Sequence, residues 1–171
     1  MAIYPCLFNN GSPVLGNKDD PFNIRDDYTK YNLSSIYSSY YVENDVFKKQ
    51  IVCQLAAASG YEGFCISLDG LGLVDGNNYT LNFVLEVPNT VSFSGSYPWG
   101  VKYSSTRYPA SGSANSNTFN TSPTVDFLQQ TGEQNVSLNF TASTSNYLVV
   151  CLSRVAAGAT GWIRLKDINI S

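Results

Sequence analysis

The strongest constraint on the fold is the stretch NYTLNFVLEV, residues 78–87, in which apolar and polar residues alternate. Successive side chains of a β-strand point to opposite faces, so a period of two separates an apolar face from a polar one. Asp75-Gly76 before the stretch and Pro88-Asn89 after it are turn signals. The stretch therefore predicts a half-buried strand, with these side chains facing a core: Tyr79, Leu81, Phe83, Leu85 and Val87.

Short apolar runs of the same kind recur along the chain, with turn residues between them. They include VFKKQIVCQL, FCISL, TVSF, WGVKY, TVDFL, NVSLNF, YLVVCLS and WIRLKDINI. Only the run AAA hints at a helix. Many short strands at regular spacing are typical of an all-β protein, and we predict an antiparallel β-sandwich of the jelly-roll type.

The closing segment GWIRLKDINIS changes the phase of its alternation. Ile163 and Leu165 share one parity, whereas Ile168 and Ile170 share the other. A continuous strand would place the second pair on the solvent face. We therefore predict a bulge or bend near Asp167.

The first part of the chain carries turn chemistry without a sustained period, including Gly11, Pro13, Gly16 and Pro21. We predict an irregular N-terminal arm over residues 1–45, which is an extended or assembly segment that could mediate oligomerisation. The β-sandwich domain is predicted over residues 46–171, and no segment indicates a further domain.

Composition excludes several classes of partner. Charged residues make up 13% of the chain, against about 25% in ordinary soluble domains. The ten Lys and Arg residues are scattered and the net charge is -3, so we expect no nucleic-acid binding. There is no run of eighteen or more apolar residues, so we expect no membrane insertion. No signal peptide is visible, so action outside a cell would require release by lysis, another export route or a signal that has been removed.

The cysteines and the glycosylation sequons both favour structural explanations. Cys6, Cys53, Cys65 and Cys151 are too widely spaced for a disulfide framework or a zinc knuckle, and the simplest interpretation is buried thiols. Cys53 and Cys65 lie on successive predicted strands and are the pair to bridge, if any pair is. Seven Asn-x-Ser/Thr sequons occur, which we interpret as a by-product of strands rich in Asn and Thr.

Three segments, taken in order, resemble those of jelly-roll carbohydrate-binding modules. The run DGNNYTLNFVLEV is similar to their G-x-x-Y-T-L-S-F strand, QNVSLNFTAS to their later F-T-A strand, and WIRLKDINIS to their closing I-D-D-V-x-I strand. The resemblance covers about residues 47–171. Such modules are appended to secreted glycoside hydrolases, and similar domains recur in phage tail and fibre proteins.

The resemblance also implies a structural calcium ion. In those modules the acidic residue of the last strand commonly helps to bind calcium, together with oxygens near the start of the domain. The matching position here is Asp167, and the upstream candidates are Glu43, Asn44 and Asp45. Carboxylate oxygens suit Ca²⁺. The alternative is that Asp167 only caps the bulge through backbone N–H groups.

The resemblance directs attention to aromatic side chains, because pyranose rings stack on Trp and Tyr faces. The richest segment is SYPWGVKYSSTRYP, and its candidate ligand-binding residues are Tyr97, Trp99, Tyr103, Arg107 and Tyr108. Trp99, between Pro98 and Gly100, is expected to be exposed on a loop, whereas Trp162 has apolar neighbours and is expected in the core. A subunit interface or ordinary packing would explain the same residues. Polar contacts are also expected from strand positions facing solvent, namely Gln54, Asn82 and Glu86.

An enzyme is not expected. The chain has no His, no G-x-S-x-G elbow and no Gly-rich phosphate loop. We therefore predict a non-catalytic module that binds a glycan or a cell-surface receptor, displayed on a virion or another extracellular assembly. The alternative is a structural subunit of such an assembly that binds no sugar.

Overall fold

The structure of the protein is a computed structural model that describes residues 29–31, 33–55, 63–69, 71–94, 98–105, 123–156 and 158–171. Within these ranges all regular secondary structure is β, and no helix is long and apolar enough to cross a membrane. The ten strands are β1 (Thr29–Tyr31), β2 (Leu33–Glu43), β3 (Val46–Leu55), β4 (Gly63–Ser67), β5 (Asn78–Val87), β6 (Trp99–Ser104), β7 (Thr124–Asp126), β8 (Gly132–Thr141), β9 (Tyr147–Leu152) and β10 (Trp162–Ile170).

The strands form two five-stranded antiparallel sheets. The front sheet has the order β2-β3-β10-β5-β8, and the back sheet has the order β1-β4-β9-β6-β7. The predicted all-β antiparallel β-sandwich is confirmed.

The core lies between the two sheets. Leu81 on β5 lies opposite Leu138 on β8, and Phe83 lies opposite Val136. All of these side chains are buried, as are Phe140 and Ile168. Burial of each large apolar side chain contributes about 1.5–3 kcal/mol relative to exposure.

The predicted bulge in the last strand is confirmed. The pairing of β10 with β5 shifts register between Lys166 and Asn169. Asp167 lies within the shift at a φ of 53°, and its carbonyl accepts a hydrogen bond of 2.8 Å from Asn169 Nδ2. Because of the extra residue, Ile168 points into the core just as Leu165 does on the other side of the bulge.

The sandwich begins earlier in the chain than residue 46. β1 pairs with β4 in the back sheet, and β2 pairs with β3 along its whole length in the front sheet. Both strands fall in the stretch assigned to the N-terminal arm, of which residues 1–28 lie outside the described residues. Asn44 and Asp45 join β2 to β3 at φ values of 50° and 61°, as a tight two-residue hairpin turn requires.

Three of the cysteines are buried free thiols, as the sequence indicates: Cys53, Cys65 and Cys151. Cys53 and Cys65 belong to different sheets and are not bridged. Cys65 and Cys151 pack with Val149 in a small cluster separate from the main core. Burial raises the pKa of the Cys53 thiol. Cys6 lies outside the described residues.

Candidate functional site

Trp99 is part of the core, so the expectation of an exposed ring is wrong. Its side chain is 4% exposed and contacts Phe93 and Phe127 edge-to-face, with ring centroids 5.2 and 5.6 Å apart. The indole N–H donates to the Leu128 carbonyl at 3.0 Å. This hydrogen bond satisfies the one polar atom of the ring, so burial leaves no donor unpaired.

The other residues of the predicted aromatic segment are only partly described. Tyr103 is half-buried at the end of β6, stacked on Phe140 with centroids 5.2 Å apart, and it lines an open groove. Tyr97, Arg107 and Tyr108 lie outside the described residues. Within the described chain, the structure therefore does not bring Trp99 and Tyr103 together on one exposed surface.

Trp162, which was expected in the core because of its apolar neighbours, is instead 38% exposed on the outer face of the front sheet. Its ring contacts that of Tyr37, which is 44% exposed, with centroids 5.6 Å apart and planes at 69°. The signal for this exposure was present in the sequence. Trp162 shares the parity of Arg164, whereas Ile163 and Leu165 carry the core parity.

Strand register places polar side chains beside this aromatic pair. Trp162 lies opposite Gln54 on β3, and Arg164 lies opposite Glu86 on β5. Gln54 and Glu86 are therefore on the outer face, as their parity predicted, and so is Asn82 further along β5. We call the surface formed by these residues the front face: Tyr37, Gln54, Glu86, Trp162 and Arg164.

Ion pairs hold the charged side chains next to the aromatic rings. Arg164 Nη1 lies 3.7 Å from Glu86 Oε2, and Lys166 Nζ lies 3.9 Å from the same oxygen. A hydrogen bond to Glu133 raises the pKa of Lys166. Exposed pairs of this kind contribute at most about 1 kcal/mol each to stability, so their main effect is to orient the side chains.

The residues predicted to bind calcium lie around a lysine. Lys48 Nζ is 2.8 Å from Glu43 Oε2 and 3.0 Å from Asp167 Oδ2, while Asp45 lies in the adjoining turn. Hydrogen bonds to both carboxylates raise the pKa of Lys48, and the bond to Lys48 lowers the pKa of Glu43. Among the described residues, no group of three or more His, Cys, Asp or Glu could hold a metal ion. An ammonium group therefore lies between the two carboxylates.

The fold and the front face define a β-sandwich with an exposed aromatic pair on one sheet. No protein-family model and no curated protein matches the chain. Among solved structures, it is similar to the CBM22-1 xylan-binding domain of Paenibacillus barcinonensis Xyn10C, at 13% identity over 84% of this chain and 83% of that one, with a TM-score of 0.39. A likeness at that level carries no argument about what this chain binds.

Proposed function

We propose that the protein is a non-catalytic glycan-binding domain that holds its ligand on the front face. The observation that carries the proposal is the exposed contact between Tyr37 and Trp162 on a sheet face with polar neighbours. Two large rings left in water forgo the gain of burial that a core position would give them. Sugars supply apolar C–H faces that cover such rings, together with hydroxyls that hydrogen-bond nearby polar groups.

The polar neighbours of the rings suit a ligand rich in hydroxyls. Gln54 offers an amide beside Trp162, and Arg164 and Glu86 offer a donor and an acceptor one rung further along the sheet. Val52, opposite both Tyr37 and Arg164, is buried and gives this part of the face an apolar floor. A rigid sheet therefore supports both the stacking and the hydrogen-bonding groups.

We also propose that this domain has no catalytic activity. The sequence contains no His and no recognisable nucleophile motif. The acidic and basic side chains of the front face are paired with one another, and the face offers two aromatic rings, which is the chemistry of a binding surface.

Affinity electrophoresis and a glycan array test the proposal. Trp162→Ala and Tyr37→Ala should each remove or strongly weaken retention by the glycan that the intact protein binds. Leu128→Ala is the matched control, because Leu128 is an exposed apolar residue outside the front face. This substitution should leave glycan retention unchanged. Retention that survives both aromatic substitutions would contradict a front-face site.

The second candidate function is that of a structural subunit in a virion or another extracellular assembly. It is favoured by the tip of the β2–β3 hairpin, where Val42 and Phe47 lie opposite each other and are 57% and 64% exposed. Exposed apolar residues at one tip suit a protein partner. Phe47→Ser should dissociate an oligomer seen by light scattering if this function holds, and should leave glycan retention unchanged if the first one does.

A further inference from the structure

We propose a second binding site, for an uncharged saccharide, in the open groove between the start of β5, the end of β8 and the end of β6. The groove has a volume of about 620 Å³. The described residues that line it are Asn78, Tyr79, Thr80, Tyr103, Pro123, Asn139, Phe140 and Thr141. Small-molecule sites commonly have volumes of about 300–1,000 Å³.

The groove is distinct from the front face. Glu86 belongs to the front face and Thr80 lines the groove, and both lie on β5. Six residues of extended chain separate them, which corresponds to about 20 Å. A ligand in the groove therefore makes its own contacts, and this inference does not depend on the front face binding sugar.

Two cross-strand Asn–Thr pairs fix the polar side of the groove. Thr80 Oγ1 donates to Asn139 Oδ1 at 2.7 Å, and Thr141 Oγ1 donates to Asn78 Oδ1 at 2.8 Å. These bonds set the orientation of both amides and engage their oxygens. In the described chain neither amide nitrogen has a hydrogen-bond partner, so two NH₂ groups on neighbouring strands can donate to ligand hydroxyls.

The same pairs explain two of the sequons. Asn78-Tyr79-Thr80 and Asn139-Phe140-Thr141 lie on paired strands, in a register that sets each Asn opposite the Thr of the other sequon. Residues two apart in a strand share a face, so this spacing places four polar side chains together. We therefore attribute the Asn-x-Thr spacing of these two segments to the polar array that their side chains form.

Aromatic rings form the apolar side of the groove. Phe140 is stacked with Tyr103 at 26° between planes, and its centroid lies 6.2 Å from that of Tyr79. Tyr79 is held further by its hydroxyl, which accepts the Val74 N–H at 3.1 Å. Phe140 and Tyr79 are buried, whereas Tyr103 is half-buried and is fixed by its stacking on Phe140. The Tyr103 ring is therefore the one that can receive the C–H face of a sugar with little loss of side-chain entropy.

The charge of the lining selects the class of ligand. Asp, Glu, Lys and Arg are absent from the eight lining residues that belong to the described part of the chain. A charged ligand would lose hydration here without gaining an opposite charge, whereas hydroxyls exchange water for amide and hydroxyl partners at little cost. We therefore assign the groove to neutral sugars.

The test uses the full chain, isotope-labelled for NMR, titrated with neutral hexasaccharides of glucose, xylose and mannose. We expect at least one of them to shift the amide signals of Asn78, Tyr103 and Asn139. Asn139→Asp keeps the oxygen that accepts from Thr80 and replaces the NH₂ donor by an acceptor, so it should weaken binding at the groove about tenfold or more. Asn135→Asp is the matched control on the same strand, outside the groove, and should leave groove affinity unchanged.

The outcomes separate the groove from the front face. Groove shifts that persist in Trp162→Ala and weaken in Asn139→Asp support the groove, whether or not the front face binds sugar. If none of the three sugars shifts the NMR signals of the groove residues, this inference is overturned. It is equally overturned if the shifts seen in the wild-type protein disappear in Trp162→Ala. The front-face proposal is judged separately, by signals at Tyr37 and Trp162.

Discussion

The ammonium group of Lys48 lies 3.0 Å from the carboxylate of Asp167, which joins residues 119 positions apart in the sequence. Asp167 is the bulged residue of β10, and Lys48 lies on the neighbouring strand β3. The same nitrogen binds Glu43 at the end of β2. One lysine therefore links the bulge to the hairpin turn.

Substitutions at Asp167 test the backbone of the bulge. Its positive φ suits Asn and Asp, whereas a β-branched side chain is strained there. We expect Asp167→Val to lower the free energy of unfolding by about 1–3 kcal/mol. Asp167→Asn should lower the free energy of unfolding by less, because Asn, like Asp, suits a positive φ. Urea denaturation measures both, and equal losses would argue against strain at this position.

A pH series tests the Glu43–Lys48 pair. The pKa of Glu43 is lower in the folded state than in the unfolded chain, so folding favours its ionised form. Its contribution to stability is therefore complete above the unfolded pKa, about 4.3, and is lost as the pH falls through the folded value. We expect Glu43→Gln to lower the Tm at pH 6 but to differ little from wild type at pH 2.5. A Tm difference between Glu43→Gln and wild type that grows as the pH falls would contradict the predicted direction of the effect.

Chelation distinguishes the lysine from a metal ion as the cation at this position. Because Lys48 lies between Glu43 and Asp167, we expect EDTA to leave the Tm unchanged. Lys48→Met should lower the Tm, since it leaves two carboxylates close together without a cation. A Tm that falls with EDTA and recovers with added Ca²⁺ would instead support the calcium site implied by the resemblance.

The two tryptophans should respond in opposite ways to truncation. Trp99→Ala removes a buried ring and its hydrogen bond to Leu128, and we expect it to cost about 3–5 kcal/mol of unfolding free energy. Trp162→Ala should change stability by no more than about 1 kcal/mol while weakening glycan retention. Thermal melts measured beside the binding assays check both, and comparable losses of stability would place Trp162 in the core.

The alternation of apolar and polar residues along the strands was a reliable guide to which side chains are buried. It predicted that Leu81, Phe83 and Ile168 point inward, and the change of phase located the bulge at Asp167. The residues next to a tryptophan were a less reliable guide to whether its side chain is buried. Pro and Gly beside Trp99 indicated a loop, although β6 begins at that residue and the core closes over it.

The groove and the lysine could not be predicted because their residues are distant in the sequence. Asn78, Tyr103 and Asn139 meet only after three strands from two sheets are in place. Lys48 meets Asp167 only through the pairing of β3 with β10. A single sequence contains the residues of such sites but not the register that assembles them.

The Asn–Thr pairs bear on the choice of expression host. Asn78 and Asn139 are both acceptors for N-linked glycosylation by sequence, and both are exposed. A eukaryotic secretory host that modified them would attach a bulky chain to the nitrogens that we expect to donate to ligand. Protein made in the bacterial cytoplasm keeps these amides unmodified, and a comparison of the two preparations would show whether an attached chain fills the groove.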